Sequence, residues 1–254
     1  MTFPIPAHYA PAYAVHDAPA DAVEPPHPAL IRNKRGVADP AKTWPQHSVL
    51  NIALLNMTQE QKKWVKHNIN QWAPHTNLYF KFVDTANGDI RIIANNHASS
   101  AWSKVGTDAK KVAQPTPTMS IGFKGSPANI AATIQHEFGH ALGLKHEHQH
   151  PDQPLAFNEQ QIYEDYEARG KSPWQADHNI LQKLTHDKVS VSPYDQNSIM
   201  HYRFPASWLS NGKPVPPNRH LSEGDKRFMQ SLYPADNSLF GKLLNTSIRA
   251  MINT

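Results

Sequence analysis

The sequence predicts an α+β fold of two lobes, and three observations support this prediction. Apolar runs of strand length recur alongside helical patterns in residues 44–146, and they give way to helical patterns and loops in residues 147–235. The chain has 254 residues, which is enough to bury a substantial core in one domain. We therefore expect an upper lobe with a twisted mixed sheet and two helices, followed by a helical, loop-rich lower lobe.

The first 43 residues precede this domain and are rich in proline and alanine, without usable periodicity. Such a segment cannot order itself by burying a core, so we expect residues 1–43 to be an extended arm or a propeptide-like leader. The segment has neither the basic region nor the apolar region of a Sec signal peptide. No apolar run anywhere in the sequence approaches the ~18 residues of a membrane span.

Composition leaves the compartment open. The absence of cysteine suits the cytoplasm or a leaderless export route, but a mature secreted form would look the same. Lysine and arginine exceed aspartate and glutamate by four, and the charges are scattered, so we expect no nucleic-acid partner. No pattern in the sequence indicates an oligomeric state.

The upper lobe is predicted from four apolar runs and two helices. The runs read as strands at residues 48–56, 78–84, 89–95 and 118–123. The second and third strands are joined through the turn sequence Ala86-Asn87-Gly88. Thr58 followed by Gln61 is a capping box, which predicts a first helix that runs to about Trp72 and ends before Pro74.

The second helix begins with Ser126 as N-cap and Pro127 at its first position. Its buried side is predicted from apolar residues at helical spacing, namely Ile130, Ala131, Ile134, Phe138, Ala141 and Leu142. Gly143 ends the pattern at a position where a left-handed residue is needed.

Three further helices are predicted in the lower lobe. They are capped by Asn158, Ser172 and Ser222, and they lie near residues 159–169, near residues 173–185 and before Pro234. From Leu239 onward, apolar residues recur at helical spacing, so residues 236–254 are predicted to form an amphipathic tail. Docking of this tail on the domain is a simpler interpretation than binding to a membrane or a partner.

The motif HEFGHALGLKH is the most informative stretch of the chain. On a helix, His136 and His140 lie one turn apart on the same face, so two imidazoles can bind one metal ion. Glu137 lies beside them, within reach of a metal-bound water. After Gly143 the chain can turn back, so that His146 supplies a third nitrogen. Three protein ligands leave one coordination position open, which indicates a catalytic zinc ion and not a structural one.

A bare HExxH could arise by chance in a chain with 16 histidines. The longer spacing HExxHxxGxxH with a downstream methionine turn is typical of metzincins, and the sequence SIMHY around Met200 supplies that turn. Met200 is predicted to be an apolar floor beneath the metal, because a thioether is too soft a ligand for zinc. The additional His148 and His150 are predicted to be solvated or to lie behind the ligands.

Glu147, directly after the third histidine, and Tyr202, two places after Met200, make the chain similar to the astacin family of zinc endopeptidases. The resemblance runs from about Trp44 to Pro234 and includes WSKVG and YDQNSIMHY. It implies a metzincin-like fold with a zinc cleft between the lobes. Two features differ. Astacins hold two disulfides, whereas this chain has no cysteine, and the arm lacks the F-x-G-D motif whose aspartate blocks zinc in astacin zymogens.

The resemblance implies an endopeptidase with one Zn²⁺ ion that cleaves internal bonds of a polypeptide through a zinc-bound water. Glu137 is then the general base, and Tyr202 leaves the zinc to bind the oxyanion; a buried tyrosine that only packs is the alternative. In astacins, the counterpart of Glu147 meets the new amino terminus made by maturation. Two other functions stay open: an inactive zinc-containing binding module, and a hydrolase of another amide such as a cell-wall peptide cross-link.

Overall fold

The computed structural model describes residues 36–236 together with residues 238, 239, 241, 243 and 248. Within these residues, a mixed sheet and two long helices form the upper lobe, as the α+β prediction expected. No helix in the described part of the chain is long and apolar enough to cross a membrane. The predicted tail after residue 236 falls mostly outside the described residues.

The strands are β1 (Val37–Ala38), β2 (Val49–Leu55), β3 (Tyr79–Val83), β4 (Ile90–Asn95), β5 (Trp102–Ser103), β6 (Met119–Gly122) and β7 (Ser190–Val191). Five of them form one sheet in the order β3-β2-β4-β6-β5. All neighbours in this sheet are parallel except β5, which runs antiparallel to β6 at the edge. β1 and β7 pair separately as a short antiparallel ribbon.

The turn sequence between β3 and β4 does not make a hairpin. Both strands run parallel to β2 on its opposite sides, β3 along Val49–Ala53 and β4 along Ile52–Leu55. The connection therefore crosses β2, and the backbone of Asp89 donates a hydrogen bond to the Asn51 carbonyl at 2.7 Å. A Cβ on Gly88 would lie 2.7 Å from that same oxygen, so the glycine is needed for close backbone approach rather than for a tight turn.

The helices are α1 (Gln59–Ile69), α2 (Pro127–Ala141), α3 (Glu159–Glu167), α4 (Pro173–Ala176) and α5 (Glu223–Leu232). Every predicted N-cap accepts its backbone hydrogen bond, because capping depends only on neighbours in sequence. Two predicted ends are wrong. α1 stops at Ile69, not near Trp72, and α4 passes into a π-helical turn at Asp177–Leu181, not a helix to residue 185.

Residues 36–43, which the sequence analysis assigned to the arm, pack on the domain. Val37 and Ala38 are buried, and a 3₁₀ turn follows at Pro40–Lys42. Pairing of β1 with β7 joins this stretch to the lower lobe, while the backbone of Lys145 donates a hydrogen bond to the Val37 carbonyl. The first residues that the structure describes are therefore tied to both lobes.

Two apolar clusters make up the core. The larger cluster lies between the sheet, α1 and α2, and it also takes in Met200 and the α5 residues Phe228 and Met229. The smaller cluster lies between α3, α4 and the segment after the methionine turn, and it includes Tyr202 and Trp208. The chain passes from one cluster to the other between Met200 and Tyr202, which is where the candidate site lies.

Candidate metal centre

Three histidines converge at the end of α2. His136 and His140 lie on the last two turns of the helix, with ring centroids 4.8 Å apart. Gly143 follows with φ at +104°, a left-handed conformation that reverses the chain as predicted. His146 then returns to the helix end, and one ring nitrogen from each histidine lies within 4.8 Å of the others. The predicted ligand set is therefore brought together.

Backbone carbonyls fix how two of these rings are protonated. Nδ1 of His136 lies 2.7 Å from the Ile199 carbonyl, and Nδ1 of His140 lies 2.8 Å from the Leu144 carbonyl. A carbonyl only accepts, so each Nδ1 carries the hydrogen and each Nε2 keeps its lone pair. Nε2 of His140 is 3.0 Å from Nε2 of His146. Neutral imidazole nitrogens gathered in this way suit zinc.

The methionine turn lies directly beneath the helix. A Cβ on Gly139 would lie 2.5 Å from Sδ of Met200 and 3.2 Å from the Trp72 ring, so the absence of a side chain at Gly139 makes room for the thioether. Met200 is buried, which agrees with its predicted role as an apolar floor.

Asp225 anchors this turn, and the sequence analysis missed it. Its carboxylate accepts hydrogen bonds from the Ser198 hydroxyl at 2.6 Å and from the Ile199 backbone at 2.8 Å. Burial raises the pKa of Asp225 to about 6. Because the Ile199 carbonyl in turn orients His136, Asp225 supports a ligand from the first turn of α5. The only signal in the sequence was its place in the capping box that begins at Ser222.

Two glutamates flank the histidines, and both are buried. Glu137 is 1% exposed, and burial raises its pKa well above the ordinary value. Glu147 is also 1% exposed, and burial raises its pKa more than the hydrogen bond from the Asp195 backbone lowers it. That bond reaches Oε1 at 2.8 Å, while Oε2 is buried without a hydrogen-bond partner in the described structure.

Tyr202 lies against the third histidine. Its ring centroid is 4.3 Å from that of His146 and 6.1 Å from that of His136. The side chain is 5% exposed and belongs to the smaller apolar cluster. The tyrosine predicted to act in the reaction is therefore next to the metal ligands.

His148 and His150 lie outside the group of three, and of the two predicted alternatives, solvated or behind the ligands, the structure excludes the solvated one. Both are fully buried, and each places Nε2 against a backbone carbonyl, of Asn179 at 2.9 Å and of Ser192 respectively. Burial lowers the pKa of His148 to about 3, so its imidazole is neutral. The carbonyls come from segments more than twenty residues away in sequence, which local patterns do not reveal.

Comparison with known proteins identifies the family. The sequence model described as Astacin (Peptidase family M12A) matches residues 36–215. The chain belongs to the astacin family. Among solved structures, that of myroilysin superposes on this astacin-family chain with a TM-score of 0.74 and 30% identity, covering 79% of this chain and 100% of that one. The resemblance inferred from Glu147 and Tyr202 is thereby confirmed.

Curated relatives are similar but much longer. Protein SpAN of Strongylocentrotus purpuratus is 26% identical over 175 residues, which cover 66% of this astacin-family chain and 26% of SpAN. Meprin A subunit alpha of Mus musculus is 29% identical over 175 residues, covering 68% of this chain and 21% of the relative. The chain therefore spans about a quarter of the length of these relatives, 26% of SpAN and 21% of meprin A subunit alpha.

Proposed function

We propose that this chain is a zinc-dependent endopeptidase that hydrolyses internal peptide bonds of polypeptide substrates. One observation carries the proposal: the ring nitrogens of His136, His140 and His146 converge at the end of α2, the helix on which the buried Glu137 directly follows His136. Three imidazoles leave a coordination position for the reacting groups. A carboxyl next to that position supplies a proton acceptor, which a purely structural metal site does not need.

Zinc, when bound by the three histidines, supplies Lewis-acid polarisation of the scissile carbonyl and lowers the pKa of a coordinated water. Glu137 would accept a proton from the water as its oxygen bonds to the carbonyl carbon, and would pass that proton to the amine nitrogen as the carbon–nitrogen bond breaks. Burial raises the pKa of the Glu137 carboxyl, which makes it a stronger proton acceptor than an exposed carboxylate. A water-poor environment also strengthens every charge interaction during the step.

Tyr202 is assigned to the oxyanion. Its ring lies against His146, so its hydroxyl belongs to the same small region as the ligand nitrogens. A phenol hydrogen can bind the oxygen that becomes negative as the carbonyl is attacked, and a single such donor is worth about 10²-fold in rate.

The substrate is assigned to the open edge of the sheet. β5 is the outermost strand next to β6, so its outer side has backbone groups available for another strand. Tyr202 and Phe204 line a groove of about 760 Å³ that also includes Trp208 and several prolines. A polypeptide added to the edge near residues 101–106 could extend across the histidines toward this groove.

The test is hydrolysis of casein by the zinc-loaded chain, with and without a chelator. We expect cleavage at internal bonds that the chelator abolishes and added zinc restores. The Glu137→Gln variant should retain zinc and lose nearly all turnover, since it keeps the shape of the side chain but cannot accept the proton. Zinc binding without any cleavage would favour an inactive binding module, and cleavage of cell-wall cross-links alone would favour the other hydrolase.

A further inference from the structure

Three aromatic rings pack together beside the candidate metal centre, and the proposed reaction uses only two of them. The ring of His148 lies 4.3 Å from that of Tyr202, at an interplanar angle of 25°. It also lies 5.3 Å from the ring of the ligand His146, at 29°. His148 therefore covers a face of the tyrosine and backs the ligand at the same time.

His148 is itself held firmly. Its side chain is 0% exposed, and its Nε2 donates a hydrogen bond to the Asn179 carbonyl at 2.9 Å. The ring of Phe204 meets it edge-on at 5.5 Å. With a hydrogen bond at one end and an aromatic edge against it, the imidazole has little freedom to turn, so it is a fixed surface for its neighbours.

We propose that His148 is a positioning residue that fixes the ring of Tyr202 through the stacked contact. The inference rests on the proposed peptidase function, in which the Tyr202 hydroxyl must already point toward the developing oxyanion when the substrate arrives. Donors stabilise such a charge best when no rearrangement is needed at the moment of reaction.

His150 provides a matched control. Its side chain is also 0% exposed, and its Nε2 also contacts a backbone carbonyl, that of Ser192. The aromatic ring next to it is that of Tyr194, at a centroid distance of 6.2 Å. Among the described residues, the His150 ring does not pack against Tyr202. Replacing His150 removes the same kind of group from the same lobe without touching the stack.

The kinetic test compares four variants: His148→Leu, Tyr202→Phe, the double variant and His150→Leu. We expect His148→Leu to lower kcat about tenfold with little change in KM, because a stacked aromatic pair is worth about this factor. In the Tyr202→Phe background, the same change should lower kcat no further, since the hydroxyl that it positions is gone. His150→Leu should leave kcat near that of the wild type. Zinc content should be unchanged throughout.

Several results would overturn the proposal. Losses that multiply in the double variant would mean that His148 acts on something other than the Tyr202 hydroxyl. Loss of zinc from His148→Leu would mean that it supports His146 instead, and an unchanged kcat would mean that it only packs. His148→Phe keeps a planar ring and should retain most of kcat. If His148→Leu does not fold, His148→Gln, which lacks the ring but can donate to the Asn179 carbonyl, replaces it in the comparison.

A readout without turnover separates this proposal from the function itself. The metal-free chain is labelled with fluorotyrosine, and its ¹⁹F spectrum is recorded. The resonance of Tyr202 is identified as the one that is missing from the spectrum of Tyr202→Phe. We expect this resonance to broaden in His148→Leu, because the tyrosine ring without its stacked neighbour samples more than one orientation, and to stay narrow in His150→Leu. Loss of the imidazole ring alone would shift the resonance without broadening it. If the wild type showed no peptidase activity, the broadening would still support the positioning role, while a resonance that stays narrow would overturn it.

Discussion

At the residue scale, the metal centre depends on carbonyl groups as much as on its histidines. His136 is oriented by the Ile199 carbonyl and His140 by that of Leu144, at 2.7 and 2.8 Å. The Ile199 carbonyl belongs to the methionine turn and the Leu144 carbonyl to the turn after α2. The orientations of the two imidazole rings are therefore fixed by different parts of the chain.

Replacing each histidine tests the ligand assignment. His136→Ala, His140→Ala and His146→Ala should each lose stable zinc binding and all peptidase activity, because two remaining imidazoles bind zinc poorly. His150→Ala should retain the zinc, although its buried position predicts a loss of stability. Metal analysis after gel filtration gives the stoichiometry. Full zinc occupancy in His146→Ala would remove His146 from the ligand set.

The Tyr202→Phe variant tests the oxyanion assignment. It removes one hydroxyl and leaves the ring that packs against His146, so zinc should stay bound and the fold should be unchanged. We expect kcat to fall about 10²-fold, the usual effect of losing one oxyanion donor. Steady-state kinetics on a fluorogenic peptide measures it. A rate equal to that of the wild type would make Tyr202 a packing residue.

The sequence was sufficient to predict the roles of residues whose positions depend only on their neighbours in sequence. His136 and His140 follow from the pitch of a helix, and Gly143 follows from the left-handed turn that a glycine permits. Asp225 and the buried state of His148 could not be predicted in this way. Their partners, Ile199 and Asn179, are distant in sequence and become neighbours only when the lower lobe folds.

At the element scale, α2 and the methionine turn are fitted to each other at one point. Gly139 presents bare backbone to Met200 and to the Trp72 ring. The Trp72 indole also donates a hydrogen bond to the Gln135 carbonyl at 3.0 Å. After α1 ends at Ile69, the chain tightens into turns in which the Trp72 backbone donates a hydrogen bond to the Ile69 carbonyl at 3.1 Å, so the indole reaches α2 from just beyond the helix.

Gly139→Ala should therefore be destabilising, although alanine is the better helix former. The added Cβ would overlap the thioether of Met200, and overpacking of this kind typically costs ~1–3 kcal/mol. Chemical denaturation gives the free energy of unfolding. In a Met200→Ala background the same substitution should cost much less, because the clashing atom is gone. Equal losses in the two backgrounds would place the strain elsewhere.

At the scale of the whole molecule, the first residues that the structure describes lie close to the lower lobe. Gly36 accepts a hydrogen bond from the Ser192 backbone at 3.1 Å, and β1 pairs with β7 beside it. Asp195, three residues further on, is the partner of the buried Glu147. A carboxyl oxygen buried without a partner is costly, so Oε2 of Glu147 is a place where a cation would stabilise the fold.

Cleavage of the arm within residues 32–36 should raise activity. It would create a new amino terminus next to Gly36, whose carbonyl accepts a hydrogen bond from Ser192. The alternative is that the arm is a spacer or export segment and the uncut chain is already active. Mass spectrometry of the incubated chain alongside a peptide-cleavage time course measures both events. A variant with Arg32, Lys34 and Arg35 changed to glutamine is the uncleavable control. Full activity of the intact chain, without a lag, would contradict activation by cleavage.

The passage of the chain from one apolar cluster to the other has a mechanical consequence. Met200 is anchored in the cluster of the upper lobe and Tyr202 in that of the lower lobe, with only His201 between them. The floor under the histidines and the phenol beside them therefore pack in different clusters. A change in the packing of the smaller cluster would reach the phenol before it reaches the floor.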